Sequence, residues 1–257
     1  MKLAFREFGQ GPALIILHGL FGQSDNWNTH AKNFADRGFN VFTIDLRNHG
    51  LSPHSDIWNY DVMADDLKEF IDDHHLTKPI ILGHSMGAKT AMFFELKYEG
   101  IASKLIIADM SPGTATRHHD GVLKALNAVD FSKIENRKEA EAVLNEYIPD
   151  FGTKQFLLKN IYWKEEGNKQ MSWRFNLEVI SRKYDCILEA VPHGTSPVDT
   201  LVLRGEKSNY VTEKDFADFE KRFPNHTIQT IAGAGHWVHA EKPKEFFDAV
   251  ISFLEKK

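Results

Sequence analysis

The sequence has 257 residues, a hydrophobic fraction of 42% and a formal net charge of −5, which fits a globular chain with a sizeable core and argues against a dedicated nucleic-acid surface. Its single cysteine, Cys186, excludes an internal disulfide, and its histidines lack the spacing of a zinc site, so we expect neither a metal nor an organic cofactor. No apolar run is long enough to cross a membrane, and the N-terminal stretch lacks the pattern of a signal peptide, so we expect a cytoplasmic protein without membrane contact.

Short, unbroken apolar runs alternate with segments of helical periodicity in the first part of the chain. The apolar runs lie at residues 13–17, 40–44, 79–82 and 104–108, and the helical segments lie roughly at 25–37, 59–74 and 86–98. Apolar runs of this length are typical of strands that are covered on both faces. Their strict alternation with helices predicts a mostly parallel sheet flanked by helices.

The pattern changes after residue 108. Between residues 112 and 197 there is no run typical of a buried strand, and helical stretches are predicted at 138–147 and 155–162. The alternation then resumes with a strand at 200–203, a helix near 213–222, a strand at 227–231 and a helix near 243–255. This order predicts a core domain of residues 1–111 and 198–257 that is interrupted by a helical cap, or lid, of residues 112–197.

The motif GHSMG at residues 83–87 has the form GxSxG and joins a predicted strand to a predicted helix. A serine at such a turn has a strained backbone that projects its hydroxyl clear of the sheet. The glycines on either side avoid clashes where neighbouring backbone passes close by. We therefore predict that Ser85 is a nucleophile; the alternative is that it is only a turn residue.

The general base is predicted in the loop after the last strand, where the sequence reads AGAGHWVH at residues 232–239. His236 follows small residues that let the chain reach over the edge of the sheet, which suits a correctly aimed imidazole. His239 is the competing candidate, but it lies directly before the last predicted helix. We therefore predict His236 as the base.

Two backbone N–H groups are expected to stabilise the oxyanion that forms during acyl transfer. One belongs to Met86, the residue after the nucleophile. The other is expected in the loop HGLFG at residues 18–22, where Leu20 is our choice and Phe21 is the alternative. We interpret His18 in the same loop as a structural residue that ties loops together through hydrogen bonds.

The acid that supports the base is less obvious. The stretch GEKSNYV at residues 205–211 is where we expect the acid in a GxxDxxV pattern, but Ser208 occupies the position of the aspartate. Asp109 is our candidate, because it ends the strand at 104–108, and ligands bind at the carboxyl ends of parallel strands. Asp109 could alternatively only organise a turn. Glu206 is the second candidate, and Asp45 is expected to order a loop.

Several stretches together resemble the α/β-hydrolase superfamily over essentially the whole chain, and more narrowly the YbfF-type bacterial esterases, which are related to mitochondrial abhydrolase-domain proteins. These stretches are HGLFG (18–22), DLRNHGLSP (45–53), GHSMGAK (83–89), RHHD (117–120), QFLLKN (155–160), WRFNL (173–177) and AGAGHWVHAEKP (232–243). The resemblance implies an α/β-hydrolase fold, hydrolysis of short acyl esters with some thioester cleavage, and a triad acid at Asp109.

The sequence thus predicts a serine hydrolase that forms an acyl-enzyme on small acyl esters or thioesters and that is a monomer or a small homo-oligomer. Candidates for contacts in the pocket or cap are Arg117, Arg174, Trp163, Trp173 and Phe175. The competing functions are a carbon–carbon bond hydrolase or a perhydrolase on the same triad, and a small-molecule receptor with little turnover.

Overall fold

The structure, a computed structural model, describes residues 1–164 and 170–256. Its strands are β1 (Phe5–Phe8), β2 (Ala13–Leu17), β3 (Asn40–Ile44), β4 (Ile80–His84), β5 (Lys104–Ala108), β6 (Ile161–Trp163), β7 (Met171–Trp173), β8 (Asp199–Gly205) and β9 (His226–Ile231). Its helices are α1 (Asn28–Ala35), α2 (Tyr60–Asp73), α3 (Met86–Lys97), α4 (Asp120–Ala128), α5 (Arg137–Asn145), α6 (Phe151–Leu158), α7 (Leu177–Arg182), α8 (Phe216–Arg222), α9 (Val238–Glu241) and α10 (Pro243–Leu254).

The central sheet has the strand order β1-β3-β2-β4-β5-β8-β9. β1 runs antiparallel to β3, and the other neighbours are parallel. The predicted α/β-hydrolase fold with a mostly parallel sheet is therefore confirmed. The sequence did not reveal β1, because this edge strand is largely exposed and its charged residues break the apolar run.

Alternating residues of the strands contribute to two hydrophobic layers, one on each face of the sheet. Leu14 and Ile16 of β2 face the layer that contains Trp27 and residues of α1 and α10. Ile15 and Leu17 face the other layer, which contains residues of α2 and α3 and continues into the segment between β5 and β8. The period of two along a strand thus gives both faces of the sheet a helical cover.

We refer to residues 112–197, the segment between β5 and β8, as the insertion. It contains α4 to α7 and an antiparallel hairpin of β6 and β7. The helix predicted at 155–162 is wrong at its C-terminal end, since α6 stops at Leu158 and residues 161–163 form β6. Isoleucine, tyrosine and tryptophan favour a strand, and pairing with β7 overrides the helical periodicity of the preceding residues.

None of the helices in the described residues is both long and apolar enough to cross a membrane. The described part of the chain also holds no group of three or more histidine, cysteine or carboxylate side chains that could bind a metal ion.

Candidate active site

Ser85 lies at the sharp turn between β4 and α3. Its φ of 52° and ψ of −117° are strained for a residue with a side chain, which costs roughly 1–3 kcal/mol. Its N–H donates to the carbonyl oxygen of Ala108 at 3.0 Å, so the pairing of β4 with β5 extends to the turn. The turn thereby places the serine at the carboxyl end of the central strands.

The glycines of the motif are required by close packing of the helix against the sheet. A Cβ on Gly83 would overlap the carbonyl oxygen of Gly87, and a Cβ on Gly87 would overlap the carbonyl oxygen of Leu17. Both obstacles are backbone atoms, which cannot move aside cheaply. The spacing of the motif therefore follows from the approach of α3 to β2 and β4.

Asp109 lies directly after β5 and is fully buried. Its Oδ1 accepts a hydrogen bond from the N–H of Gly205 at 3.0 Å, and its Oδ2 accepts one from the hydroxyl of Ser208. The same Oδ2 lies 2.7 Å from Nδ1 of His236. Burial raises the pKa of Asp109 to about 6, although the hydrogen bonds from Ser208 and Gly205 partly oppose this rise.

His236 follows β9, and its side chain is 17% exposed. Desolvation lowers the pKa of His236, which favours the neutral imidazole that a general base needs. The ring of Tyr210 stacks on the imidazole with 3.7 Å between ring centroids. Nε2 of His84 lies 2.9 Å from the carbonyl oxygen of His236, so the residue before Ser85 also fixes the histidine loop. Because Asp109 accepts at Nδ1, the other ring nitrogen of His236 is left as the basic one.

The competing histidine has a different environment. His239 is buried, and its ring stacks on Trp27 with 4.2 Å between centroids. Its carbonyl oxygen lies 2.9 Å from Nε2 of His30. His239 therefore belongs to the aromatic packing around α1.

The competing carboxylates make loop contacts. Glu206 is exposed and accepts a hydrogen bond from the N–H of Gly233 at 2.8 Å. Asp45 is buried and accepts from the N–H groups of Ser24 and Leu51, so it orders the loops around it.

The two N–H groups considered for the oxyanion site in the loop after β2 differ in their hydrogen bonds. Among the described residues, the N–H of Leu20 has no acceptor, whereas the N–H of Phe21 donates to Nε2 of His49 at 3.2 Å. The N–H of Met86, at the start of α3, likewise has no acceptor within the described ranges. His18 accepts from the N–H of Leu46 at 3.0 Å and makes the loop contact expected of it.

A cavity of about 20 Å³ lies at Ser85 and is also lined by Leu20 and Met86. Its other walls are mostly apolar or aromatic and include Tyr60, Met110, His119, Tyr184, Ile187, Leu188 and Tyr210. The hydroxyl of Tyr60 donates to the carbonyl oxygen of Ile187 at 2.9 Å, so the insertion is fastened to the core at this wall. A larger hollow, of about 660 Å³, lies between α1, α6 and α9 and is not lined by Ser85.

The residues of the insertion that were predicted to contact a pocket do not line the cavity at Ser85. Trp173 and Phe175 are buried and stacked on each other, and the guanidinium of Arg174 lies over the ring of Tyr162. Arg117 pairs with acidic residues at the protein surface, and Trp163 is 51% exposed.

The sequence did not predict Tyr60, Tyr184 and Tyr210 as walls of this cavity, because they lie far apart in the chain. His119 could have been found, since it belongs to the stretch RHHD that carries the family resemblance.

Lys89, which the sequence did not single out as functional, is a buried cation one turn along α3 from Ser85. Its ammonium donates to the carbonyl oxygens of Gly113 at 2.7 Å and Glu189 at 2.8 Å. These two residues lie near the two ends of the insertion. Burial lowers the pKa of Lys89 to about 8.

A profile described as "Alpha/beta hydrolase family" matches residues 14–249. The mouse protein named "sn-1-specific diacylglycerol lipase ABHD11" is 39% identical over 252 residues, which cover 95% of this chain and 81% of that protein. Esterase YbfF of Escherichia coli is 36% identical over 244 residues, which cover 94% and 92%. A solved structure described as "Marine microorganism esterase" has a TM-score of 0.94 and 41% identity, over 98% of this chain and 99% of that one. The resemblance seen in the sequence motifs is thus confirmed, and the chain belongs to the α/β-hydrolase family as an esterase-type hydrolase.

Proposed function

We propose that the protein hydrolyses short-chain acyl esters or thioesters through a triad of Ser85, His236 and Asp109. The observation that carries this proposal is the 2.7 Å contact between Asp109 and His236 at the rim where the strained turn presents Ser85. The names of relatives such as Esterase YbfF support an ester as the substrate.

The proposed chemistry has two halves. In the first, the hydroxyl of Ser85 attacks the carbonyl carbon while Nε2 of His236 takes its proton; the proton then passes to the leaving alcohol or thiol as the acyl–oxygen or acyl–sulfur bond breaks. In the second, water attacks the acyl-enzyme by the same proton transfers and releases the acid. Asp109 holds the proton on Nδ1 and stabilises the imidazolium, and the N–H groups of Leu20 and Met86 donate to the oxyanion.

Two features of the cavity support a short acyl group and a role of the insertion as a cap. The volume of about 20 Å³ at Ser85 has room for little more than one water molecule. Tyr184, Ile187 and Leu188 of the insertion close one side of it. A short acyl chain therefore displaces these walls less than a long one does.

A series of p-nitrophenyl esters tests the proposal. We expect kcat/KM to be highest for acyl chains of two to four carbons and to fall at least about tenfold at eight carbons, because pocket walls discriminate strongly by chain length. A burst of p-nitrophenol should precede steady turnover, and Ser85→Ala should show none. A maximum at eight carbons or more would contradict the short-chain assignment. Absence of turnover on all esters and thioesters would favour a receptor or a carbon–carbon bond hydrolase.

The acid limb of the pH profile should lie below the ordinary histidine value of about 6.5. His236 must be neutral to accept the serine proton, and burial lowers its pKa. Asp109 must be ionised as well, and burial raises its pKa to about 6, so we expect activity to fall when Asp109 takes up a proton. The measurement is kcat/KM against pH, with p-nitrophenol followed at a wavelength where its two protonation states absorb equally. A midpoint at or above 6.5 would contradict this expectation.

A further inference from the structure

Phe21, in the loop between β2 and α1, has a left-handed backbone conformation with φ of 60°. A residue with a Cβ adopts this conformation only when its surroundings enforce it. The N–H of Phe21 donates to Nε2 of His49 at 3.2 Å, and its carbonyl oxygen accepts from Nδ2 of Asn160 at 2.9 Å. The peptide groups on both sides of Phe21 are thus held by side chains from different parts of the chain.

The restraint from His49 belongs to the core. His49 is fully buried, and its Nδ1 lies 3.0 Å from the carbonyl oxygen of Arg47. Burial lowers the pKa of His49 to about 3, so its imidazole is neutral. Nδ1 then carries the proton that Arg47 accepts, and Nε2 is fixed as an acceptor for Phe21.

The restraint from Asn160 belongs to the insertion. Asn160 is fully buried between α6 and β6. Its N–H donates to the carbonyl oxygen of Leu157 at 3.0 Å, and its own carbonyl oxygen accepts from the N–H of Arg174 at 2.8 Å. Its position within the insertion is therefore fixed on both sides.

The amide of Asn160 is only partly satisfied. Nδ2 donates to Phe21 and, at 3.3 Å, to Phe156, whereas Oδ1 has no hydrogen-bond partner among the described residues. A buried acceptor without a partner is unfavourable. An apolar side chain of equal size would lack the two hydrogen bonds from Nδ2. Of these, the shorter one is the bond to Phe21, which lies outside the insertion.

The ring of Phe21 is also held by the insertion. It packs against Phe175 with 5.0 Å between centroids, and the ring of His119 lies at 74° to it with 6.3 Å between centroids. Displacement of the insertion would therefore remove both the ring contacts and the hydrogen bond to the carbonyl oxygen. Phe21 could then relax to negative φ, which turns the adjoining peptide groups.

We propose that Asn160 is a positioning residue that couples the insertion to the oxyanion site. Its hydrogen bond holds Phe21 in the left-handed conformation and so fixes the peptide group that joins Leu20 to Phe21. With that group fixed, Leu20 stays at the cavity with its own N–H directed toward Ser85. The oxyanion site is then complete only while the insertion is in place. This inference rests on the proposed role of Leu20 as an oxyanion donor.

Asn160→Leu tests the coupling, because leucine has a similar volume but no donor. We expect kcat on p-nitrophenyl acetate to fall roughly 10- to 100-fold, less than for direct loss of an oxyanion donor, while KM stays within about twofold. Affinity for an aryl trifluoromethyl ketone, which adds to Ser85 as a hemiketal oxyanion, should fall by a similar factor. Affinity for the parent methyl ketone should not change.

Asn127→Leu is the control for the same substitution at an exposed position of the insertion. Asn127 donates to the carbonyl oxygen of Leu123 at 2.8 Å and to the hydroxyl of Ser181 at 3.1 Å, and all three residues lie within the insertion. This variant removes amide hydrogen bonds from the insertion without touching the oxyanion loop. We expect its kcat to stay within about twofold of the wild type, since it makes no contact that changes in the transition state.

If Asn160→Leu does not fold, Asn160→Asp provides the test. A neutral carboxyl group can donate to the carbonyl oxygen of Phe21, and a carboxylate cannot, so the ratio of the variant's kcat to that of the wild type should fall as the pH rises. The coupling would be overturned if a folded Asn160→Leu variant kept the wild-type kcat or changed only KM. It would also be overturned if the kcat ratio of Asn160→Asp to the wild type did not depend on pH. Failure of the wild type to react with a fluorophosphonate at Ser85 would instead overturn the proposed function.

Discussion

Replacement of Ser85 by alanine is expected to lower kcat on p-nitrophenyl butyrate by a factor on the order of 10⁴ to 10⁶. Alanine removes the attacking oxygen, and only the oxyanion N–H groups and substrate binding remain to accelerate the attack of water. The turn itself should persist, because the strain lies in the backbone and the flanking glycines are unchanged. Steady-state kinetics and mass spectrometry after exposure to a fluorophosphonate measure the loss of turnover and of the covalent adduct.

Ser103→Ala is a suitable control, since Ser103 is exposed and lies directly before β5, away from the cavity. It should keep wild-type turnover and the fluorophosphonate adduct. Turnover by Ser85→Ala within about tenfold of the wild type would exclude the acyl-enzyme mechanism, because loss of a serine nucleophile is far more damaging than that.

Asp109→Asn is expected to lower kcat by a factor on the order of 10³ to 10⁴ while the fold is retained. Asparagine adopts positive φ as readily as aspartate, which suits the φ of 50° at this position. The amide of asparagine can be oriented in two ways. If its NH₂ group faces Nδ1 of His236, it selects the wrong tautomer of the imidazole. If its NH₂ group faces the N–H of Gly205, two hydrogen-bond donors face each other. Either arrangement weakens His236 as a base.

Glu206→Gln distinguishes the two candidate acids. Its carboxylate accepts from the loop N–H of Gly233, so the amide variant should keep kcat within about threefold, as expected for an exposed loop contact. Thermal unfolding of both variants shows whether a loss of activity comes from a damaged active site or from a destabilised fold. If Glu206→Gln loses activity and Asp109→Asn does not, the acid is Glu206.

The parts of the fold that could be predicted from the sequence are those with a local signal. Buried strands such as β4 are unbroken apolar runs, and the motif around Ser85 follows from the close approach of α3 to its neighbours. Asp109 could be chosen because the end of a parallel strand has a known location in the sheet. β1 and the hairpin of β6 and β7 escaped prediction, since edge pairing and short strands leave little apolar pattern.

The walls of the candidate site could not be predicted in the same way. Tyr210 stacks on His236, and Asn160 reaches Phe21 across 139 residues of sequence. Such contacts depend on how separate elements pack, and nothing in the flanking residues encodes them. The sequence likewise could not decide whether Leu20 or Phe21 has the free N–H. The structure distinguishes them, because the N–H of Phe21 donates to His49.

The two hydrogen bonds from Lys89 have a consequence for how this architecture can diversify. Because Gly113 and Glu189 are bound to the same ammonium, the two ends of the insertion are anchored side by side on the helix that follows Ser85. A loop whose ends are fixed together can change in length at a modest, logarithmic entropic cost. Residues between these anchors that make no contact with the core, unlike Asn160, can therefore be exchanged while the ends stay in place, and the segments they form can change in length, so that new substrate pockets can be built over an unaltered nucleophile.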